Sequence, residues 1–258
     1  MPQLLCTVRN CHQPLRRDGD RYVCEQKHSF DIAGSGYINL LQPQDRRSRN
    51  PGDSAAAIEG RRRFLDRGFA EPLRRAVGDL VNEGPVLDAG CGDGYYLGSL
   101  SIDDRCGIDI SAAATDLAAR RHPECQWVVA NADRFVPYAD RSFATVMSIT
   151  GRMNRAEFRR VLFDDGRLLV AVSAPDDLVE LRGPSRDRAR RTIDSFAPDF
   201  ELIARRRATT VADLDAESVR DLLTATYRPR KGNPAKVTLS LDLLLFQIGD
   251  YFLRPLPG

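Results

Sequence analysis

Cys6, Cys11, Cys24 and His28 crowd into one short N-terminal stretch in the order Cys-x4-Cys, twelve residues, Cys-x3-His. Thiols and an imidazole so spaced form two ligand pairs on two turns, which is what a tetrahedral zinc site needs. Met1-Pro2-Gln3-Leu4-Leu5 lacks a basic region followed by a long apolar one, so no signal peptide is expected and the chain is read as cytoplasmic. In that compartment such a cluster indicates metal rather than disulfides. Four protein ligands leave no open coordination position, so the role is structural. His12, beside Cys11, is the alternative ligand; the pairing favours Cys6, Cys11, Cys24 and His28.

A second chemical signal is the string Val86-Leu87-Asp88-Ala89-Gly90-Cys91-Gly92-Asp93-Gly94-Tyr95-Tyr96. A short apolar strand ends in an acid and runs into three alternate glycines, as a turn that must approach a ligand with its backbone requires. A dinucleotide fingerprint would place its third glycine where Tyr95 stands, which weakens a nicotinamide reading. Downstream, Gly107-Ile108-Asp109-Ile110 reads as a second strand ending in an acid suited to ribose hydroxyls.

These groups need a scaffold, and the chain supplies one. Its 258 residues, 42% hydrophobic and 29% charged, suit one ordinary soluble domain with a small appendage or two modest domains, and fit neither a largely disordered nor a membrane protein. The longest apolar stretch, around Leu243 to Phe246, is too short to span a bilayer. Pro14, Gly19 and Arg16 to Asp20 predict a hairpin with Tyr22-Val23 returning, and Phe30 to Ala33 and Tyr37 to Leu41 are expected to complete the same module. Ser54 is a predicted N-cap for a helix carrying Ala55, Ile58, Arg62 and Leu65; a second helix is expected over Ala70 to Val81, stopped by Gly84-Pro85. After the glycine loop a helix is expected from Tyr95 to Leu100. Strands at Thr145 to Ile149 and Gly166 to Val172, helices at Arg155 to Leu162 and Ala216 to Thr226, and a closing antiparallel pair (Phe200 to Arg207, Val237 to Gln247) follow. Such alternation predicts a parallel sheet with helices on both faces.

Net charge is only +2, too small to declare a nucleic-acid binder. Its distribution is more telling. Three of the 38 basic residues are lysine, and the arginines cluster at Arg46 to Arg75 and at Arg182 to Arg207. Guanidinium groups pair with phosphate and stack on bases, so these clusters read as phosphate-contacting surfaces, against the plain alternative of solvated helix faces.

The strand-end acid Asp88, the alternating glycines and Asp109 together resemble the S-adenosylmethionine (SAM) site of class I methyltransferases. The resemblance implies that Asp88, Gly90, Gly92 and Asp93 meet the methionine portion, Asp109 the ribose, and Asn131 and Ala132, at the end of the strand through Val128-Val129, the adenine edge. More narrowly, the cysteine and histidine module, His28-Ser29-Phe30-Asp31, Gly36 to Leu41, Arg49-Asn50-Pro51-Gly52-Asp53-Ser54, Arg62-Arg63-Phe64-Leu65 and Gly68 resemble the bacterial 23S ribosomal RNA guanine-N1 methyltransferases.

That resemblance implies an α/β, Rossmann-like class I methyltransferase with a mostly parallel seven-stranded sheet and a small N-terminal zinc-binding β module. Residues 1–41 would be the module, 42–84 an arginine-rich linker with helices, and 85–258 the methyltransferase domain. The expected reaction is SAM-dependent methylation of N1 of a guanine in a 23S rRNA hairpin near the macrolide-binding exit tunnel, serving housekeeping or antibiotic resistance. Arg46, Arg47, Arg49, Arg61 and Arg62 would contact the RNA. The implied partner is large-subunit rRNA, with no membrane, and a homodimer stays open. So do a small-molecule methyltransferase and an RNA-binding homologue without turnover. The chain departs from the family pattern at Thr150-Gly151-Arg152, Phe143-Ala144, Ala70 and Asp177. No catalytic base is assigned; Asp133, Asp176 and Asp177 are the candidates.

Overall fold

The computed structural model describes residues 1–9, 11–45, 52–225 and 235–249. Arg46, Arg47, Arg49 and Thr226 lie outside the described residues.

At the N-terminus β1 (Arg16–Asp18), β2 (Arg21–Val23) and β3 (Ser29–Asp31) form an antiparallel sheet in sequence order. Gly19, at φ +64°, makes the predicted hairpin turn. Strands of three residues bury little apolar surface, so this sheet depends on what it is attached to. The next strand, β4 (Ile38–Asn39), stays with the module as expected, Ile38 bridging antiparallel to Ile32 and the Ala33 N–H donating to the Tyr37 carbonyl at 2.9 Å. It also pairs in parallel with β7 (Gln126–Val129), Ile38 opposite Val128, and so becomes an edge of the large sheet as well.

The large sheet therefore has eight strands rather than seven. Its members are β4, β5 (Val86–Ala89), β6 (Arg105–Asp109), β7, β8 (Phe143–Ile149), β9 (Leu162–Ser173), β10 (Phe200–Asp213) and β11 (Lys236–Ile248), in the order β10-β11-β9-β8-β5-β6-β7-β4. Only β11 runs against its neighbours. All four residues of β5 and six of seven in β8 are buried, the continuous burial expected of parallel strands covered on both faces. Chain order reverses between β5 and β8, and the carboxyl ends of these strands form the crevice where a ligand binds in such folds.

Helices α1 (Ala55–Asp66), α2 (Glu71–Gly78), α3 (Ala112–Arg121), α4 (Arg155–Val161), α5 (Val179–Arg182), α6 (Ala189–Phe196) and α7 (Ala216–Ala225) flank the sheet. Ser54 caps α1 as predicted, its Oγ accepting from the Ala57 N–H at 3.2 Å. Far from lying in a free linker, α1 packs on α7. Gly60 makes this close approach workable, since a Cβ there would stand 3.0 Å from the Asp221 carbonyl. Arg63 and Arg67 each reach the buried Asp221 carboxylate at 2.6 Å, and the Arg63 hydrogen bond leads the effects holding that carboxyl below its usual range.

The helix expected at Tyr95 to Leu100 is a single 3-10 turn, Leu97–Ser99. Gly98 lies so close to the His122 ring that a side chain would not fit. Arg105 meanwhile takes the Gly98 and Leu100 carbonyls at 3.2 and 2.8 Å, the acceptors a longer helix would need.

Candidate metal centre and donor cavity

The four predicted ligands converge. One ligand atom from each of Cys6, Cys11, Cys24 and His28 lies within 4.8 Å of all the others. Cys11 Sγ and Cys24 Sγ are 3.8 Å apart, and His28 Nδ1 is 3.4 Å from both Cys6 Sγ and Cys24 Sγ. With Zn–S near ~2.3 Å, tetrahedral geometry puts sulfurs about 3.8 Å apart, so the donor set fits zinc. Burial pushes the Cys6 thiol up to about 12, whereas at Cys24 burial is outweighed by backbone hydrogen bonds at His28 and Gln26 that hold the thiol below its ordinary value, so a cation is what would keep Cys6 a thiolate here. His12 does not join them; its ring stacks on Phe135 at 4.4 Å and 11°.

Beyond that stack, the ribbon is bonded to the sheet domain through its backbone. The Leu5 N–H donates to the Pro137 carbonyl at 3.0 Å and the Leu40 N–H to the Val129 carbonyl at 2.9 Å. Ser35 Oγ donates to Asp116 at 2.7 Å.

At the carboxyl ends of β5, β6 and β7 lies a cavity of about 310 Å³, within the range of small-molecule sites. Gly90, Gly92 and Asp93 form one wall, Asp109 to Ser111 a second, Asn131 and Ala132 a third. Gly90, Gly92 and Gly94 all have positive φ (+91°, +55°, +79°). Gly92 faces open space, whereas a Cβ on Gly94 would stand 2.7 Å from the Trp127 ring. One glycine thus clears the cavity and the other admits the core tryptophan behind it.

Asp109 fixes the loop. Its Oδ2 accepts from the Gly92 N–H at 3.0 Å and its Oδ1 from the Ser111 N–H at 2.8 Å. Each oxygen keeps a lone pair for a hydroxyl donor. Burial raises the Asp109 pKa against the pull of these two N–H groups. Asp88 sits behind the loop rather than in the cavity wall; burial pushes its carboxyl up to about 8, reinforced by Asp109 and opposed by Arg61. Asp88 Oδ1 and Asp93 Oδ2 are buried without a hydrogen-bond partner. Unsatisfied buried carboxylate oxygens beside a glycine cradle suit a polar, cationic ligand such as SAM.

The remaining predicted residues divide. Asn131 lines the cavity, but its Nδ2 donates to the Asp45 carbonyl at 2.9 Å and its Oδ1 accepts from the Asp133 N–H at 3.1 Å, so its amide also ties down the chain after the ribbon. Arg61 lines the donor cavity. Arg62 is bonded to Glu59 at 2.6 Å and Asp66 at 3.2 Å along α1. Asp133 lies 3.5 Å from Arg152, Asp176 Oδ1 is buried and unpartnered, and Asp177 accepts from the Ser240 N–H at 3.0 Å, its pKa raised by burial.

Sequence reasoning missed the roof of the cavity, formed by Gly52, Asp53, Ile58 and Arg61. The hint was Gly52-Asp53 just before the Ser54 cap. A Cβ on Gly52 would stand 2.6 Å from that of Ser111, so this turn folds onto the α3 cap.

The comparisons with known proteins agree with this geometry. Residues 5–49 match the zinc-ribbon family described as RlmA, N-terminal, and residues 86–169 match a methyltransferase domain family. The chain is 32% identical over 228 residues to the 23S rRNA (guanine(748)-N(1))-methyltransferase of Streptomyces fradiae, covering 81% of this chain and 80% of the relative. It is also 32% identical over 231 residues to YxjB of Bacillus subtilis, whose name carries the same 23S rRNA guanine-N1 reaction, covering 81% and 80%. Among solved structures, a Haloferax volcanii methyltransferase in complex with the Trm112 activator aligns with TM-score 0.54 at 17% identity, over 78% of this chain and 98% of that one, a likeness of fold. With its ribbon ligands gathered, its donor cavity formed and its relatives matched over four-fifths of their length, the chain belongs to the 23S rRNA (guanine-N1)-methyltransferase family.

Proposed function

We propose that this chain methylates N1 of a guanine in a hairpin of 23S rRNA beside the macrolide-binding exit tunnel, with SAM as donor and the bacterial cytoplasm as its place of work. The observation that carries the reading is one chain holding both a four-ligand metal ribbon and a glycine-walled cavity fastened by Asp109. The donor supplies a methyl group on positive sulfur; the new bond is to guanine N1, the carbon–sulfur bond breaks, and N1 loses its proton.

The chain's own work is placement, which can supply about 7–11 kcal/mol of a barrier. Asp109 is the group for the donor's ribose hydroxyls. Asp93, with its unpartnered oxygen, suits the donor's ammonium, and Arg61 the donor's carboxylate. Asn131 and Ala132 wall the side where an adenine would lie. The two cavities that continue from this one carry Arg182, Arg186, Arg188 and Arg191 on their walls, beside Met153 and Val172, and this concentration of guanidinium groups favours an RNA over a small apolar metabolite. Among the described residues no helix is long and apolar enough to cross a membrane.

The test is transfer of a labelled methyl group to 23S rRNA, with primer extension to find the site. The expected result is label in RNA and a reverse-transcription stop at one guanine, because methylation at N1 blocks Watson–Crick pairing. Label in small metabolites and none in RNA would overturn the reading.

A further inference from the structure

Next to the donor cavity, and sharing Thr150 and Gly151 with it, lies a second cavity of about 340 Å³. Its other walls are Met153, Val172, Ser173 and the α6 side, with Arg188, Arg191 and Thr192. Ser173, Arg188 and Arg191 also border a third cavity of about 410 Å³, which continues past Arg182 to Arg186. The three depressions thus adjoin in series, the first at the donor and the last on an arginine-rich surface.

The charges along this path are unequal in their freedom. Asp177 is engaged by the Ser240 N–H, and Asp187 by the Ala189 N–H at 2.8 Å and by Arg205 at 3.6 Å. Arg186, Arg188 and Arg191 are exposed and have no ion pair among the described residues. Met153, 42% exposed, sets an apolar side chain on the rim. A basic channel with an apolar edge suits a base lifted from its stack while its flanking phosphates stay outside.

The wall shared with the donor is held rigidly. Thr150, a β-branched residue, has φ +52°, a conformation such residues rarely adopt. Its N–H donates to the Ala171 carbonyl at 2.8 Å, and Ser148 Oγ donates to the Arg152 carbonyl at 2.6 Å. A Cβ on Gly151 would stand 2.6 Å from the Ala89 carbonyl, so this turn lies directly on the glycine loop.

We propose that the cavity between the Thr150-to-Met153 turn and α6 receives the target nucleotide, and that Arg188 and Arg191, with Arg186 beyond them, hold the phosphates flanking it. This rests on the reading of the chain as an rRNA methyltransferase, and assigns the RNA's approach to the α6 side of the crevice.

The test measures binding of a 23S rRNA hairpin transcript to the full chain by filter binding across a salt series, together with calorimetric donor binding. Arg188→Gln/Arg191→Gln should weaken RNA binding about tenfold and lower the slope of log K against log salt by about 1.4, as expected for two lost contacts to single-stranded phosphates. Donor affinity should stay within twofold, which also shows that the variant is folded. Arg190→Gln, on the same helix but outside both cavities, should change RNA affinity less than twofold. The assignment is overturned if the double variant keeps the parent affinity and slope, or if Arg190→Gln matches its effect. Failure of the unaltered chain to bind or methylate any 23S fragment would overturn the functional reading and this path with it; intact RNA methylation with an unaffected double variant overturns the path alone.

Discussion

Four side chains, the outermost 22 residues apart, close the metal ribbon, whereas the donor cavity draws its walls from segments between Gly52 and Arg152. The ribbon is built by side chains meeting at a point. The cavity is built largely by their removal, at Gly90 and Gly92, and by backbone N–H groups turned towards one carboxylate. The first geometry depends on a cation for its folding energy; the second depends on a parallel sheet already in place. Despite this difference they are not independent, because β4 bridges the ribbon at Ile32 and pairs with β7 as well, and the Asp45 carbonyl accepts from Asn131 at the cavity wall.

The largest effect should come from breaking the ribbon. Structural zinc contributes an apparent ~10–16 kcal/mol in small zinc-binding peptides. Even a several-kcal/mol share of that here predicts that Cys24→Ser loses its metal and lowers Tm by about 10 °C or more. Through β4 and Asp45 the same change should also weaken donor binding. Metal analysis, calorimetric unfolding and a donor titration check this. Donor affinity that survives metal loss unchanged would show the ribbon to be separable from the cavity.

Asp109→Ala strikes the other region. It removes the acceptor of two backbone N–H groups, and a hydrogen bond to a charged group is worth about 1.5–3 kcal/mol. Donor affinity should fall on the order of 100-fold, with the metal retained and Tm lowered by several degrees, whereas Asp109→Asn, which keeps one acceptor oxygen, should recover part of both losses. Calorimetric Kd values for both variants check the ordering; a change under threefold in Asp109→Ala would remove Asp109 from the donor site.

These two regions also explain what could be read from the amino-acid order. Cys24 and His28 are one turn apart, and Asp88 to Gly94 is a single strand-to-loop string, so local spacing carried both sites. The roof residues Gly52, Asp53 and Arg61 reach the cavity through partners distant in sequence: the Gly52 turn lies on Ser111, and α1, which carries Arg61, packs on α7, where Arg63 and Arg67 meet Asp221. The module pairing of Ile38 with Ile32 was legible, but nothing in Ile38-Asn39 announces that the same strand also pairs with β7, far along the chain. The aborted helix after the glycine loop depends on Arg105, a few residues on, and on His122, which is distant in sequence.

A smaller effect, of defined sign, belongs to Asp88. Its carboxyl is pushed up from an ordinary 3.8 to about 8, so the folded chain binds this proton more tightly than the unfolded chain does. The stability it contributes is therefore present in acid and is lost as pH rises from about 4 through about 8. Asp88→Asn should remove that slope. Between pH 5 and pH 8 the Tm of the unaltered chain without donor should fall more than that of the variant, and an equal fall in both would show that Asp88 does not titrate in this window. The same variant should bind the donor more weakly, since its side chain cannot become an anion.

The mildest change tests which histidine serves the ribbon. His12 stacks on Phe135, while His28 Nδ1 stands 3.4 Å from two of the thiols. An aromatic stack contributes about 0.5–1.5 kcal/mol, so His12→Ala should lower Tm by only a few degrees and keep one zinc per chain, whereas His28→Ala should lose it. Because Phe135 also carries the Arg160 guanidinium at 4.9 Å, the ring keeps a partner when His12 is gone. Loss of metal from His12→Ala would mean that the ligand set exchanges one histidine for its rival, and that the stack on Phe135 is not what His12 is for.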